Sequence, residues 1–397
     1  SQFTFFGGFA PDVVKSSPEF RRWSAAWEMV KRHGLTHERP DYGFRTVEVG
    51  AQTYEIVEEN AFDTPFGQLV HFKKEGLSEY QPKILVVAPL SGHFATLLRG
   101  TVETLLPEND VYITDWKNAR DVPLSAGRFG FDEYVEHVMR FMEVIGEGAH
   151  MLGVCQPCAH ALAAVALMAE DNNKATPLSV TLMAGPVDTR INPSKVNKLA
   201  TDKPIEWFES NLISTVPWRY AGAGRRVYPG FVQLLAFMSM NAERHAKAFT
   251  EQIFRVSRGE ASDHDAHNRF YDEYLAVMDL TSEFYLQTVE TVFIDHALPR
   301  GHEGNRPLGA LTQGIEIWRR VAEAEQCQPV QIIPARADGA QDHLLRDASE
   351  RPGVKRFQID DIKMHGLEPD RIALPEKAAP HEIWGLMDGN RTLHRAV

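Results

Sequence analysis

The chain has 397 residues, 43% of them apolar, enough to bury a substantial core and long for one compact domain. Lys and Arg total 42 against 54 for Asp and Glu, a formal net charge of -12, which argues against a nucleic-acid partner held mainly by phosphate neutralisation. No stretch is long and apolar enough to span a bilayer, and the first residues lack the basic start and apolar centre of a signal peptide.

Up to about residue 41 the chain is mixed. Phe3, Phe5, Phe6 and Phe9 cluster early, and Trp23, Trp27, Val30 and Leu35 recur at roughly helical spacing, the pattern of an arm or helix packed on a core. From Tyr42 to Phe72 polar and apolar residues alternate, as in Phe44-Arg45-Thr46-Val47-Glu48-Val49, with turn residues at Gly50 and Thr64-Pro65. This predicts antiparallel strands. Short apolar runs follow at 84–88, 111–114, 151–152 and 180–183, each closed by turn residues and each reading as a buried parallel strand. Between two of them Phe131, Tyr134, Val135, Val138, Met142 and Ile145 mark one face of an amphipathic helix. Strands alternating with helices place the chain in the α/β class, with a doubly wound, mostly parallel sheet and right-handed crossovers.

The pattern changes between 192 and 301, where Trp207, Trp218, Phe231, Phe249, Phe270 and Tyr285 are spread over mostly helical segments. This reads as a helical cap inserted into the sheet domain. Strand patterns resume at 328–333 and 354–359, the expected last two core strands. The expected organisation is an arm and first part of the core over 1–191, a cap over 192–301 and the rest of the core over 302–397.

The most informative stretch is Gly153-Val154-Cys155-Gln156-Pro157, because the apolar Met151-Leu152 leads into it and a helix-forming run, 159–168, leaves it. A strand, a sharp turn and a helix make a nucleophile elbow. The side chain at its tip is presented for attack, and the next residue offers a backbone N–H to the developing oxyanion. No Gly-x-Ser-x-Gly occurs in the chain, so Cys155 has no serine rival. With Cys158 and Cys327 the chain has three cysteines, which leave one thiol over in any pairing scheme, so a reducing compartment is the simpler reading, and Cys158 reads as a small buried hydrophobe.

A cysteine nucleophile needs a histidine base oriented by a carboxylate, and in the α/β-hydrolase arrangement the chain order is nucleophile, acid, base. The run 329–338 leads from a strand to Asp338 and the run 356–366 from a strand to His365, so the expected triad is Cys155, Asp338 and His365. Asp342, Asp360 and Asp361 rival the acid, and His381 and His394 the base. The expected oxyanion donors are the N–H of Gln156 and one from the loop Pro89-Leu90-Ser91-Gly92-His93, Ser91 or Leu90. Asp263-His264-Asp265-Ala266-His267 reads as a solvated turn, and no metal is expected.

These residues resemble the intracellular polyhydroxyalkanoate depolymerases, above all those acting on poly(3-hydroxybutyrate). The resemblance rests on Thr64-Pro65-Phe66, the run 87–103, Asp110-Val111-Tyr112-Ile113-Thr114-Asp115-Trp116, the elbow itself, and Phe293-Ile294-Asp295-His296-Ala297-Leu298-Pro299-Arg300-Gly301. It covers most of the chain to about Gly301. It implies an α/β-hydrolase fold, a Cys-Asp-His triad with Cys155 as nucleophile, and a polyester substrate held in cytoplasmic granules. The Glu-Gly-Glu-x-Asp-Asp-Ile and Gly-His-Tyr-Gly runs it would supply for acid and base are absent. No bound cofactor is expected, although coenzyme A could replace water as acyl acceptor. A synthase-like acyltransferase and a non-catalytic granule-binding protein are the competing readings, and the sequence leaves a homo-oligomer open.

Overall fold

The computed structural model describes residues 21–22, 24–27, 34–190, 195–260 and 266–300, together with three short strands further along the chain. Strands β1 (Thr46–Val49), β2 (Gln52–Asp63) and β3 (Gly67–Lys74) form an antiparallel meander. Gly50, at φ +59°, makes the first turn, where a side chain would be strained. The second is tied by Thr64, whose hydroxyl donates to the Gly67 carbonyl at 2.6 Å.

After the meander come β4 (Lys83–Val87), helix α1 (Arg99–Leu105), β5 (Asp110–Trp116), α2 (Phe131–Ile145), β6 (His150–Val154), α3 (Cys158–Glu170) and β7 (Val180–Met183). In β4 the alternation sends Leu85 and Val87 to one face and Ile84 and Val86 to the other, all buried. The first face packs under α2 and α3, the second under α1. Each fully buried aliphatic side chain contributes roughly 1.5–3 kcal/mol.

Further on, β11 (Gln331–Ile333) runs parallel to β7, β12 (Trp384–Met387) parallel to β11, and β13 (Thr392–Arg395) antiparallel to β12. The ten-stranded sheet has the order β1-β2-β3-β5-β4-β6-β7-β11-β12-β13. Its direction of growth reverses at β4, which has β5 on one side and β6 on the other. Loops leaving the carboxyl ends of β4 and β6 therefore diverge and leave a crevice, where open α/β sheets hold their ligands. The strand expected at 328–333 contains β11. The strand expected at 354–359 lies outside the described residues, and the strand beside β11 is the later β12.

Between β7 and β11 lie α4 (Lys195–Asp202), α5 (Ile205–Leu212), α6 (Gly230–Met240), α7 (Ala242–Ser257), α8 (Ala266–Tyr274), α9 (Ser282–Thr288), the π-helical turn Val289–Ile294 and α10 (Ala297–Arg300). Among them stands a three-stranded sheet, β10 (Leu280–Thr281), β9 (Arg226–Tyr228) and β8 (Ser214–Thr215), in an insertion expected to be mostly helical. Strands of two or three residues carry too few positions to show a period.

Polar groups join this cap to the core. The Asp279 carboxylate, almost fully buried, accepts from Arg120 Nε at 2.9 Å and from the Gly230 N–H at 3.0 Å. The Asp279 N–H donates to Asn118 Oδ1 at 3.0 Å, and its carbonyl accepts from the Ala119 N–H at 3.0 Å. The loop after β5 is thus pinned to the start of α6.

Candidate active site

At the end of β6 the chain turns sharply at Cys155, which holds φ +65° without being glycine. Such a conformation costs on the order of 1–3 kcal/mol and persists only where its surroundings enforce it. Here the Cys155 N–H donates to the Met183 carbonyl at 2.7 Å, and its carbonyl accepts from the Cys158 N–H at 3.2 Å. Pro157 caps α3, where its missing N–H costs nothing. Two glycines make room for the turn. A side-chain carbon on Gly153 would stand 3.4 Å from both Ala161 and Leu182, and one on Gly185 would collide with Cys158 and the Cys155 carbonyl. Small residues along α3, among them Ala159, Ala161 and Ala163, let the helix lie close to the sheet.

Cys155 is half-buried at the tip and Cys158 is fully buried beneath it, both as free thiols. Burial pushes the Cys155 thiol above its ordinary range, opposed by a hydrogen bond from the Gln156 N–H. Burial also raises Cys158, whose S–H is directed at the Gly153 carbonyl, 3.4 Å away. Cys155 therefore needs an imidazole partner to ionise at neutral pH.

Across the crevice, the loop from β4 is anchored at both ends. The Ala88 N–H donates to Thr114 Oγ1 at 2.9 Å, and the Ala88 carbonyl accepts from Trp116 Nε1 and the Tyr134 hydroxyl, each at 3.0 Å. At the far end the Gly92 carbonyl accepts from the Met278 N–H at 2.9 Å. Gly92 holds φ +94°, and a side-chain carbon there would stand 3.0 Å from Gln233 Cβ, so the position requires glycine. His93 is stacked between Phe237 and Tyr274, with Nε2 3.0 Å from the Tyr274 carbonyl, and burial pushes its pKa down to about 4. In the middle, the Leu90 N–H donates to the side-chain oxygen of Gln156 at 3.1 Å. That donor is engaged, leaving Ser91 as the next N–H along the loop.

The structure thus brings Cys155, Gln156 and the Leu90–Ser91 loop together at the sheet's switch point. Asp338 and His365 lie outside the described residues, as do Asp342, Asp360, Asp361, His381 and Cys327. His394 falls on β13, opposite Gly385 of β12. Since β12 follows both His365 and His381 in the chain, His394 is the one of the three histidines that comes after the last parallel strand. Residues 263–265 are also outside the described part, while His267 is on α8. Among the described residues no group of three His, Cys, Asp or Glu side chains is arranged to hold a metal ion. The side-chain role of Gln156 has no local sequence signal. It depends on a loop 66 positions away.

The strand order, the reversal at β4 and the elbow at Cys155 define the α/β-hydrolase superfamily. Residues 184–309 match the family described as "PHB de-polymerase C-terminus", so this part of the chain is similar to that domain. The match begins just after β7, so Cys155 lies before it. No curated protein matches the chain. Among solved structures, a hyperthermophilic esterase from the archaeon Pyrobaculum calidifontis is 13% identical with a TM-score of 0.27, over 48% of this chain and 57% of the esterase. The chain thus spans little more than half of that relative. A deformylase from Pseudomonas putida S16 is 13% identical with a TM-score of 0.32, over 72% of this chain and 87% of its own. The Vlm2 thioesterase domain is 13% identical with a TM-score of 0.33, over 70% of this chain and 92% of its own. None of these similarities says what this chain acts on.

Proposed function

We propose that the protein is a carboxylic ester hydrolase that depolymerises poly(3-hydroxybutyrate), with Cys155 as nucleophile, working in the cytoplasm on polyester granules. The observation that carries this reading is the strained Cys155 backbone at the tip of the elbow, facing the Leu90–Ser91 loop across the crevice. The depolymerase C-terminal domain that follows supports the substrate class.

In this mechanism the Cys155 thiolate adds to the ester carbonyl of a 3-hydroxyacyl unit, and the tetrahedral oxyanion accepts from the N–H groups of Gln156 and Ser91. Collapse breaks the ester C–O bond, and the alkoxide takes the proton that the histidine removed from the thiol. Water then adds to the thioester, its proton passing to the same histidine, and the acid is released with the thiol restored. Asp338, which follows β11 in the chain, is the proposed acid. His365 is the proposed base, with His394 the rival that the strand order brings forward. Coenzyme A in place of water would yield a 3-hydroxyacyl thioester.

The test is release of 3-hydroxybutyrate and its oligomers from amorphous granules under reducing conditions, with and without coenzyme A. Cys155→Ala is expected to abolish release, and His365→Ala and His394→Ala to identify the base. Granule adsorption without release by the unaltered protein would instead favour a binding role.

A further inference from the structure

We propose that the Gln156 side chain is a positioning residue that sets the oxyanion loop, and that the cap in turn sets Gln156 through His160 and Thr288. The inference rests on the reading of Cys155 as nucleophile. A carboxamide has one acceptor atom, and the Leu90 N–H can only donate, so Gln156 Oε1 must face Leu90 at 3.1 Å. The amide orientation is thereby fixed, and Nε2 points to His160 Nδ1 at 3.4 Å. His160 is wholly buried on α3 among the rings of Phe131, Tyr134 and Phe284, with centroids 4.1, 4.7 and 5.3 Å away. Burial pushes its pKa down to about 3 against the pull of the Gln156 backbone carbonyl, so the ring is neutral and its Nδ1 edge faces Gln156. Its other nitrogen lies 3.4 Å from the hydroxyl of Thr288, the last residue of α9 before the π-helical turn.

A chain of polar contacts therefore runs from the cap, through the elbow helix, to the oxyanion loop. Its importance follows from how that loop is held. Ala88 is fixed by the core and Gly92 by Met278; between them Leu90 is anchored by its buried side chain, and the orientation of its backbone is set by the bond from its N–H to Gln156. A shift at the end of α9 would move the amide and turn the peptide that offers the Ser91 N–H. Cap position and oxyanion stabilisation would then change together.

Two rates separate this role from others. Turnover of a soluble short-chain chromogenic ester passes through an oxyanion, whereas alkylation of Cys155 by iodoacetamide is a displacement at carbon and does not. Gln156→Met should lower kcat on the order of tenfold to a hundredfold with KM changed far less, as for the weakening of one oxyanion donor, while alkylation stays within about twofold. Thr288→Val should show the same pattern at about two- to fivefold, and Thr288→Ser, which keeps the hydroxyl, should restore kcat. A parallel fall of turnover and alkylation in Gln156→Met, or no fall in either, would overturn the inference while leaving Cys155 as nucleophile. An unaltered protein without turnover, or turnover surviving in Cys155→Ala, would overturn both.

Discussion

The sheet core and the cap bury themselves differently. Strands β4 and β6 are enclosed by helices on both faces, and their apolar residues are buried. On the cap, α6 leaves Phe231 44% and Leu235 61% exposed, and the stretch between β8 and β9 leaves Trp218 90% exposed. The cap meets the core through Tyr228, Met278, Leu280 and Phe284, buried in one apolar cluster with Leu85 and Val87, through oriented hydrogen bonds around Asp279, Asn118 and Arg120, and through Arg225, whose guanidinium donates to the carbonyls of Val122, Pro123 and Gly127. The sheet is enclosed by apolar packing on both faces, whereas the cap adds directional contacts to its apolar contact with the core and leaves part of its outer apolar surface exposed.

The largest effect should come from the seam. Asp279→Ala leaves the mostly buried Arg120 without its carboxylate, and a stability loss of about 3–5 kcal/mol is expected in urea unfolding. A loss no larger than that of a surface substitution would show that the seam does not hold the cap. Next in size is Gly185→Ala under the elbow, where the added carbon meets Cys158 and the Cys155 carbonyl; we expect a loss of about 1–3 kcal/mol together with slower alkylation of Cys155. Unchanged alkylation would mean that the turn can shift without disturbing the thiol.

A smaller, pH-dependent effect is expected at the edge of the core. His71 lies 2.8 Å from Glu59 and 2.7 Å from Asp110. Burial opposes its charge, but hydrogen bonds to Asp110 and Glu59 prevail and its pKa is raised. Its contribution is therefore complete below the unfolded histidine value of about 6.5 and is lost as pH rises through the higher folded value. Asp110 is lowered, so its share is present above the unfolded carboxylate value near 4 and is lost as pH falls through the lower folded one. His71→Gln should lower Tm most between these limits, by under about 1 kcal/mol in stability, and the difference should shrink at alkaline pH. A difference independent of pH would rule out the charge.

The least effect on stability belongs to the cap's outer face. Phe231→Ser and Leu235→Ser should each change stability by no more than about 0.5 kcal/mol, while adsorption to amorphous polyester granules falls. Unchanged adsorption would move polymer binding elsewhere.

The sequence by itself determined the local elements. The periodicity of Phe131 to Ile145 corresponds to α2, the apolar runs to β4 through β7, and the change from strand to helix around Cys155 marks the elbow. Those signals lie within a few residues of one another, because side-chain periodicity follows from backbone geometry. Only the tertiary structure decided that Gln156 would hold Leu90, that Asp279 would join Arg120 to Gly230, and that Trp384–Met387 would lie beside β11. A hydrogen bond between distant loops depends on how the intervening chain folds, so it leaves no period in the sequence around either partner.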